Sequence, residues 1–252
     1  YSWEYDNVQP VPVIASSSSD PTNDSVINVT VNFSEDVTGF LSSDISVAGG
    51  TAANFVGSNS SYSFDLTPSA AGDITVNIGA GVAVDASGNG NSAATQFSIA
   101  YDNVAPTATS ISIAGDANEI NNTAVTLTLA ATEVSEMYLT NTAGCATGGS
   151  WETFAITKSW TLGQSNDTAT VYAKYRDALG NESSCISDSI IHDSIAPVTV
   201  ISGTPSSPTN DGSYDIDVLP DTGVETYQYA IIDGNAACSA ASYTGIWINE
   251  TI

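Results

Sequence analysis

The chain alternates apolar and polar residues without a break between residues 27 and 33, in the stretch Ile27-Asn28-Val29-Thr30-Val31-Asn32-Phe33. Successive side chains of a β-strand point to opposite faces, so this alternation predicts a strand with one buried face. The same pattern returns at residues 62–66, 74–78, 97–101, 125–129, 171–175 and 214–218. Clusters of Gly, Asn, Asp, Ser and Pro separate these stretches and predict turns. The sequence therefore indicates an all-β chain.

A six-residue phrase recurs three times along the chain. Tyr5-Asp6-Asn7-Val8-Gln9-Pro10 returns as Tyr101-Asp102-Asn103-Val104-Ala105-Pro106 and as His192-Asp193-Ser194-Ile195-Ala196-Pro197. The starts of these linker phrases are separated by 96 and 91 residues. A fixed long period of this kind indicates a tandem array of similar units.

Two further phrases recur in the same register. Asp85-Ala86-Ser87-Gly88-Asn89 returns as Asp177-Ala178-Leu179-Gly180-Asn181, and Pro21-Thr22-Asn23-Asp24 returns as Pro208-Thr209-Asn210-Asp211. We divide the chain into four parts. They are residues 1–10, the final strand and linker of a preceding or neighbouring-chain domain; residues 11–103, domain 1; residues 104–194, domain 2; and residues 195–252, an incomplete domain 3.

Units of this length with about seven short strands predict immunoglobulin-like β-sandwiches arranged in a rod. The first unit also resembles the bacterial immunoglobulin-like domains of large repetitive surface adhesins. The resemblance lies in Phe33-Ser34-Glu35-Asp36-Val37-Thr38-Gly39-Phe40, in Asp44-Ile45-Ser46-Val47, and in residues 84–91. The second and third units resemble this family less closely. The resemblance implies a secreted bacterial protein, at the cell surface or outside the cell.

Charge excludes several classes of partner. The chain has 28 Asp and Glu residues but only 3 Lys and Arg residues, and its net charge is -25. Nucleic acids and anionic membranes are bound mainly through Lys and Arg, so we expect neither as a partner. No apolar stretch is long enough for a membrane-spanning helix, and we expect no membrane insertion in this segment.

Cysteine spacing predicts a crosslink in the second unit. Cys145 and Cys185 are 40 residues apart within that unit, and two cysteines in one secreted domain indicate a disulfide. The alternative is a pair of buried free thiols. Cys238 occupies the position of Cys145 in the third unit, where the same spacing would place its partner beyond residue 252.

The third unit lacks an Asp-x-x-Gly-Asn phrase and a final strand, whereas Tyr1, Trp3 and Tyr5 occupy the position of a final strand before the first linker. One interpretation is a window cut from a longer repetitive chain. The other is a self-assembling extracellular filament, in which the amino-terminal strand of one molecule completes the third sandwich of the next. Further copies of the same repeat, in one chain or in a homopolymer, are thus the expected partners.

Acidic residues concentrate in the linker and turn phrases, where Ca²⁺ would relieve the repulsion between carboxylates. We expect Asp6 and Asn7 with Asp24 at the first junction. We expect Asp102 and Asn103 with Asp85 and Asn89 at the second, and Asp193 with Asp177 and Asn181 at the third. The alternative is that these Asp and Asn residues only form turns.

No sequence motif of an enzyme is present, and we predict that the chain is not an enzyme. The single histidine, His192, stands where the other linkers have Tyr, which indicates a strand-end residue. We predict a structural, adhesive repeat region that acts as an extended spacer for cell adhesion. Its target would be a host-cell or other surface glycan or protein. A carbohydrate-binding module, with Trp247 and Tyr243 as stacking residues, is the alternative from another class.

Overall fold

The computed structural model describes residues 5–196, residue 198 and the backbone of two short strands beyond them. Within these residues the chain forms tandem immunoglobulin-like β-sandwiches, as the sequence predicts, and its only helices there are two single turns of 3-10 helix at Ser42–Asp44 and Ala143–Cys145. Among the described residues, no helix combines the length and the apolar character needed to cross a membrane.

Domain 1 contains seven strands in two sheets. The strands are β1 (Pro12–Ser16), β2 (Ile27–Phe33), β3 (Ile45–Ala48), β4 (Gly50–Ser58), β5 (Ser61–Pro68), β6 (Gly72–Ile78) and β7 (Phe97–Tyr101). One antiparallel sheet has the order β1-β2-β5-β4 and the other has the order β3-β6-β7. The two sheets face each other through the alternating apolar positions of their strands.

The core of domain 1 is built from those alternating positions. Ile27, Val29 and Val31 of β2 are fully buried, and they pack in one cluster with Ile74 and Val76 of β6. The polar residues between them remain exposed or half-buried. Burying each such aliphatic side chain stabilises the fold by about 1.5–3 kcal/mol, so the two-residue period of the sequence directly sets which face is buried.

Strand β4 has no alternating apolar pattern and was not predicted. Most of its residues are exposed, because it lies at the edge of its sheet and pairs only with β5. Its backbone passes very close to β5 at Gly57, where a Cβ atom would lie 2.5 Å from the Tyr62 Cα atom. Glycine is therefore required at this position, and its φ of +142° would strain any other residue.

Domain 2 contains eight strands, again in two sheets. They are β8 (Thr107–Ile113), β9 (Glu119–Ile120), β10 (Ala124–Thr132), β11 (Glu136–Thr140), β12 (Trp151–Thr153), β13 (Thr157–Thr161), β14 (Asp167–Arg176) and β15 (Ile186–His192). The sheets have the orders β13-β10-β8 and β12-β11-β14-β15-β9. All pairs are antiparallel except the short parallel pair of β9 with β15.

A second, separate core fills domain 2. Leu127 and Leu129 of β10 pack in one cluster with Val171 and Ala173 of β14. Tyr175 on β14 is fully buried, and its hydroxyl donates a hydrogen bond of 2.6 Å to the Ser110 carbonyl of β8. Burial raises the pKa of the Tyr175 hydroxyl. This hydrogen bond ties the two sheets of the domain together.

Beyond domain 2, β16 (Val200–Ser202) pairs antiparallel with β17 (Asp217–Leu219). Strand β17 overlaps the end of the strand predicted at residues 214–218, and the earlier residues of that prediction lie outside the described residues. The other alternating stretches of the sequence coincide with β2, β5, β6, β7, β10 and β14, which confirms those predictions.

Candidate functional site

The Asp-x-x-Gly-Asn phrase of domain 1 forms a closed loop around the Asp85 carboxylate. Oδ1 of Asp85 accepts hydrogen bonds of 2.8 Å from the backbone amides of Ser87 and Asn89, and Oδ2 accepts one of 2.8 Å from Nδ2 of Asn89. Gly88 turns the chain with a φ of +90°, in the region that favours glycine. The phrase is therefore a self-contained structural motif.

Domain 2 repeats this loop atom for atom. Oδ1 of Asp177 accepts hydrogen bonds of 2.9 Å from the amides of Leu179 and Asn181, and Oδ2 accepts one of 2.8 Å from Nδ2 of Asn181. Gly180 has the same φ of +90° as its counterpart in domain 1. We call these two structures the Asp loops, defined as residues 85–89 and 177–181.

Each Asp loop binds the linker that precedes its own domain. Nδ2 of Asn89 donates a hydrogen bond of 3.2 Å to the Asp6 carbonyl, and Nδ2 of Asn181 donates one of 3.0 Å to the Asp102 carbonyl. We call the end of a domain that its preceding linker enters the N-terminal pole, and the opposite end the C-terminal pole. The Asp loops thus lie at the N-terminal poles.

This placement corrects the predicted grouping of the candidate ligands. We expected Asp85 and Asn89 beside Asp102, and Asp177 and Asn181 beside Asp193. The loop of domain 1 is close to the next linker in sequence, but strand β7 lies between them and runs from the N-terminal pole to the C-terminal pole. A five-residue strand spans roughly 16 Å, so proximity in sequence does not bring the two together.

Asp24 also lies at the opposite end of domain 1 from its predicted position. The residue before it in sequence, Asn23, contacts domain 2, and the Asp24 carboxylate accepts a hydrogen bond of 2.8 Å from the Ser18 hydroxyl. Asp24 was expected at the first junction with Asp6. It belongs instead to the C-terminal pole of domain 1, which faces the second junction.

Asn23 makes the direct side-chain contact between the two domains. Its Nδ2 atom donates hydrogen bonds of 2.9 Å to the Leu179 carbonyl and 3.3 Å to Oδ1 of Asn181. Since Asn181 also binds the Asp102 carbonyl, the linker, domain 1 and domain 2 meet at one carboxamide. No local sequence pattern marks Asn23 as a site residue, although the repeated Pro-Thr-Asn-Asp phrase contains it.

The N-terminal pole of domain 1 gathers three carboxylates. Asp6, Glu35 and Asp85 each offer an oxygen, and these oxygens lie within 4.8 Å of one another. Among the described residues this is the only group of three acidic, His or Cys side chains that could hold a metal ion. Glu35 was not predicted as a ligand; its one signal in the sequence is its position just after the alternating strand β2.

Two carboxylates of this cluster, Glu35 and Asp85, have shifted pKa values. Burial raises the pKa of Glu35 above its ordinary 4.5, and the negative charges of Asp85 and Asp6 raise it further. Burial also tends to raise the pKa of Asp85, but hydrogen bonds from the side chain and backbone of Asn89 and from the Ser87 amide lower it overall. The ionised form of Asp85 is therefore stabilised in the cluster, whereas the ionised form of Glu35 is destabilised.

The linker Asp residues have one shared structural role. Oδ1 of Asp6, Asp102 and Asp193 accepts a hydrogen bond from the backbone amide two residues later, at distances of 3.0, 2.9 and 2.8 Å. This Asx turn fixes the chain where it leaves one domain and enters the next. Asn7 and Asn103, the other linker residues proposed as ligands, are exposed.

Comparison with known proteins supports the family resemblance of domain 1. Residues 6–101 match the family described as the bacterial Ig-like domain. The resemblance predicted for the first unit is confirmed. A solved structure described as Clostridium thermocellum CbhA fibronectin(III)-like modules is also similar; the identity is 11%, the match covers 71% of this chain and 93% of that chain, and the TM-score is 0.33. No curated protein matches the sequence.

The structure joins Cys145 and Cys185 in a disulfide, as their spacing predicts, with their Cα atoms 5.8 Å apart. The disulfide ties the 3-10 turn after β11 to the segment that leads into β15. Cys145 is buried. This crosslink lies outside the two Asp loops and stabilises domain 2 alone.

The three cationic residues of the chain all lie in domain 2, and each is paired. Lys158 pairs with Glu152, Lys174 with Glu182 and Arg176 with Glu136. The Arg176 guanidinium also stacks 4.3 Å above the Trp151 ring. The positive charges of domain 2 are therefore balanced by neighbouring Glu side chains.

The remaining candidate residues are placed as follows. His192 is the last residue of β15 and is buried, and its Nδ1 atom accepts a hydrogen bond of 2.8 Å from the Asn166 amide. Tyr5 is 88% exposed. Tyr1 and Trp3, proposed for strand donation, and Tyr243 and Trp247, proposed for glycan binding, lie outside the described residues.

Proposed function

We propose that this chain is a non-catalytic spacer in a secreted bacterial surface protein, where it supports adhesion by holding a binding region away from the cell. The observation that carries this proposal is the junction between the two domains. Asn23, Asn181 and the Asp102 carbonyl form a direct hydrogen-bonded contact across it. A contact of this kind limits the angles that two successive domains can adopt, which favours an extended rod over a flexible string.

The linker supports the same role. The Asp102 side chain binds the Val104 amide at 2.9 Å, and Pro106 fixes the backbone torsion just before domain 2 begins. Domain 1 has neither Lys nor Arg, so its surface is of one sign and resists association with other copies. These features suit a repeat that must stay extended beside many identical neighbours. The binding target, a surface glycan or protein, belongs to the region that such a spacer would hold.

Calcium binding at the N-terminal pole of domain 1 is part of the proposal. Asp6, Glu35 and Asp85 supply three of the six to eight oxygens that Ca²⁺ takes, and water would supply others. Asp85 already accepts three hydrogen bonds, but a carboxylate has about four lone-pair positions, so it can still offer one to an ion. The ion would relieve the like-charge repulsion from Asp85 and Asp6, which adds to the effect of burial in raising the pKa of Glu35.

The spacer role is tested on the full chain and on the cell. Small-angle X-ray scattering should give an elongated particle with domains 1 and 2 end to end, and an antibody against the chain should label intact cells of the bacterium that produces it. Labelling only after the cells are broken open would refute the surface role. A compact particle with the domains side by side would refute the rod.

The calcium role is tested by thermal unfolding of the full chain in chelator and in millimolar Ca²⁺. An ion at 100 times its dissociation constant should stabilise domain 1 by about 2.7 kcal/mol. Glu35→Gln should remove this gain. Glu133→Gln is the matched control, because Glu133 is an exposed acid outside the cluster, in domain 2. An equal calcium response in the parent chain and in Glu35→Gln would show that the cluster is not the binding site.

A further inference from the structure

The described junction consists of two groups on each side. Domain 1 and its linker contribute the Asn23 carboxamide and the Asp102 carbonyl, and domain 2 contributes the Leu179 carbonyl and the Asn181 carboxamide. Every group is uncharged, so the contact forms without bringing further carboxylates of this acidic chain together. The geometry of the junction thus depends on how domain 1 places Asn23 beside Asp102.

Backbone hydrogen bonds fix that placement. Thr22 forms a parallel bridge with Tyr101, the last residue of β7. The Thr22 amide donates a hydrogen bond of 3.0 Å to the Ala100 carbonyl, and the Asp102 amide donates one of 2.9 Å to the Thr22 carbonyl. The residues that follow this bridge on the two segments, Asn23 and Asp102, are the two that reach domain 2.

Domain 2 builds the same bridge at its own C-terminal pole. Ile120 pairs in parallel with His192, the last residue of β15, and the Asp193 amide donates a hydrogen bond of 2.9 Å to the Ile120 carbonyl. The residues that follow the bridge are Asn121 and Asp193. Asn121 is exposed, and it precedes the first buried residue of the next strand, Val125, by four positions.

The spacing from the bridge confirms that the two poles are equivalent. Asn23 likewise precedes Ile27, the first buried residue of β2, by four positions. The sequences around the bridges differ: domain 1 has Pro21-Thr22-Asn23-Asp24 and domain 2 has Glu119-Ile120-Asn121-Asn122. Because the phrase is not repeated in domain 2, the equivalence of Asn23 and Asn121 is visible only through the backbone pairing.

We propose that Asn121 and the Asp193 carbonyl form a docking surface for the Asp loop of a further immunoglobulin-like domain that follows domain 2. The Asn121 carboxamide would donate to the carbonyl two residues after the loop Asp and to the side-chain oxygen of the loop Asn. The amide of that loop Asn would donate to the Asp193 carbonyl. The partner is thus defined by chemistry: a closed Asp-x-x-Gly-Asn loop at the N-terminal pole of a following domain, a phrase that residues 195–252 do not themselves contain.

The linker that follows domain 2 is held by hydrogen bonds in the conformation that such a partner requires. Asp193 closes its Asx turn onto the Ile195 amide at 2.8 Å, as Asp102 does in the described junction. Ser194 is held as well, because the Asn166 side-chain oxygen accepts hydrogen bonds of 2.8 Å from its amide and 2.9 Å from its hydroxyl. The chain therefore leaves domain 2 along a fixed course that presents the Asp193 carbonyl.

The chain itself supplies a partner for the test. The Asp loop of domain 1 already binds its own preceding linker through Asn89, as the loop of domain 2 does through Asn181. The cores of the two domains share no residue, so each domain has the apolar material to fold as a unit. A chain in which residues 11–103 follow residue 197 therefore places a loop with the required chemistry after domain 2.

The experiment uses amide ¹⁵N relaxation to compare the rotational tumbling of the appended domain with that of domain 2 in this extended chain. We expect it to tumble together with domain 2, independently of protein concentration. Asn121→Ala should raise the undocked population by about two- to fivefold, as expected for the loss of one or two exposed hydrogen bonds. Asn122→Ala is the matched control, because the Asn122 side chain caps the Ala124 amide within domain 2.

Equal effects of Asn121→Ala and Asn122→Ala, or independent tumbling of the appended domain in the parent extended chain, would overturn the proposal. Coupling that appears only at high concentration would also overturn it, because it would show association between chains. If the appended copy of domain 1 does not fold, residues 107–196 in its place give the same test with the loop at residues 177–181. A negative result leaves the junction between domains 1 and 2 intact and does not affect the spacer role.

Discussion

The contact between domains 1 and 2 makes a quantitative prediction for Asn23→Ala. The Asn23 side chain donates two hydrogen bonds, both to domain 2. The substitution therefore removes the contact without removing any described side-chain hydrogen bond inside domain 1. The Asn181 hydrogen bond to the Asp102 carbonyl remains in the variant, so the junction should loosen but should not open completely.

The size of the effect follows from the geometry. The bond to the Leu179 carbonyl, at 2.9 Å, has ordinary length, whereas the bond to Oδ1 of Asn181, at 3.3 Å, is long and adds little. A neutral hydrogen bond contributes about 0.5–1.5 kcal/mol net, and the exposed site favours the lower half of that range. The ratio of closed to open junctions should fall by about two- to fivefold. Asn23→Asp should reduce it further, because a carboxylate would face two oxygen acceptors.

Residual dipolar couplings of the backbone amides provide the assay. In the parent chain, both domains should fit one alignment tensor, and in Asn23→Ala the tensors of the two domains should diverge in magnitude. Asn28→Ala is the control, since Asn28 makes one side-chain hydrogen bond, of 3.4 Å, to Asp65 within domain 1. The same tensors for Asn23→Ala and Asn28→Ala, or independent alignment of the two domains in the parent chain, would show that Asn23 does not hold the junction.

Three further changes test other parts of the structure. Cys185→Ser should lower the free energy of unfolding of domain 2 by about 4 kcal/mol, the chain-entropy value for a separation of 40 residues, and reduction of the parent should do the same in urea denaturation. Tyr175→Phe should cost about 1 kcal/mol in the same assay by removing the hydrogen bond to Ser110; an unchanged midpoint would show that the bond is dispensable. The pKa of Glu35 is raised in the folded state. Glu35 therefore contributes fully to the free energy of unfolding at acid pH, and this contribution is lost as the pH rises through the folded-state pKa. Without calcium, Glu35→Gln should thus raise the melting temperature at pH 7, and the gain should shrink towards pH 4.5; a gain that stays constant with pH would contradict the pKa shift.

Sequence patterning identified the strands whose inward positions are filled by large apolar residues. Strand β2 alternates Ile and Val with Asn and Thr, so its period of two is unmistakable. Strand β4 was missed because an edge strand needs few apolar side chains; its backbone is fixed instead by pairing with β5 and by the close approach at Gly57. Strand β9 was missed because two residues cannot show a period.

The recurrence of the Asp-x-x-Gly-Asn phrase is visible in the sequence, because the loop at Asp85 and Asn89 and the loop at Asp177 and Asn181 are each closed by hydrogen bonds within five residues. The role of these four residues as calcium ligands stays a prediction. Their neighbours depend on which pole of the domain each loop occupies, and that follows from the direction of the final strand. Glu35 and Asn23 come from distant parts of the chain, so no local pattern could assign them to these sites.

The two N-terminal poles use the same loop with different chemistry. Domain 1 adds Glu35 to Asp6 and Asp85, whereas the acid just after β10 in domain 2, Glu133, has a φ of +55° and is exposed to solvent. The junction between the domains is instead closed by carboxamides and backbone carbonyls, whose hydrogen bonds respond little to salt. Among the described residues, three carboxylates meet only at the N-terminal pole of domain 1, so the proposed cation would relieve like-charge repulsion there. If that proposal holds, one repeated phrase serves an uncharged junction within the described pair of domains and a cation site at the pole before it.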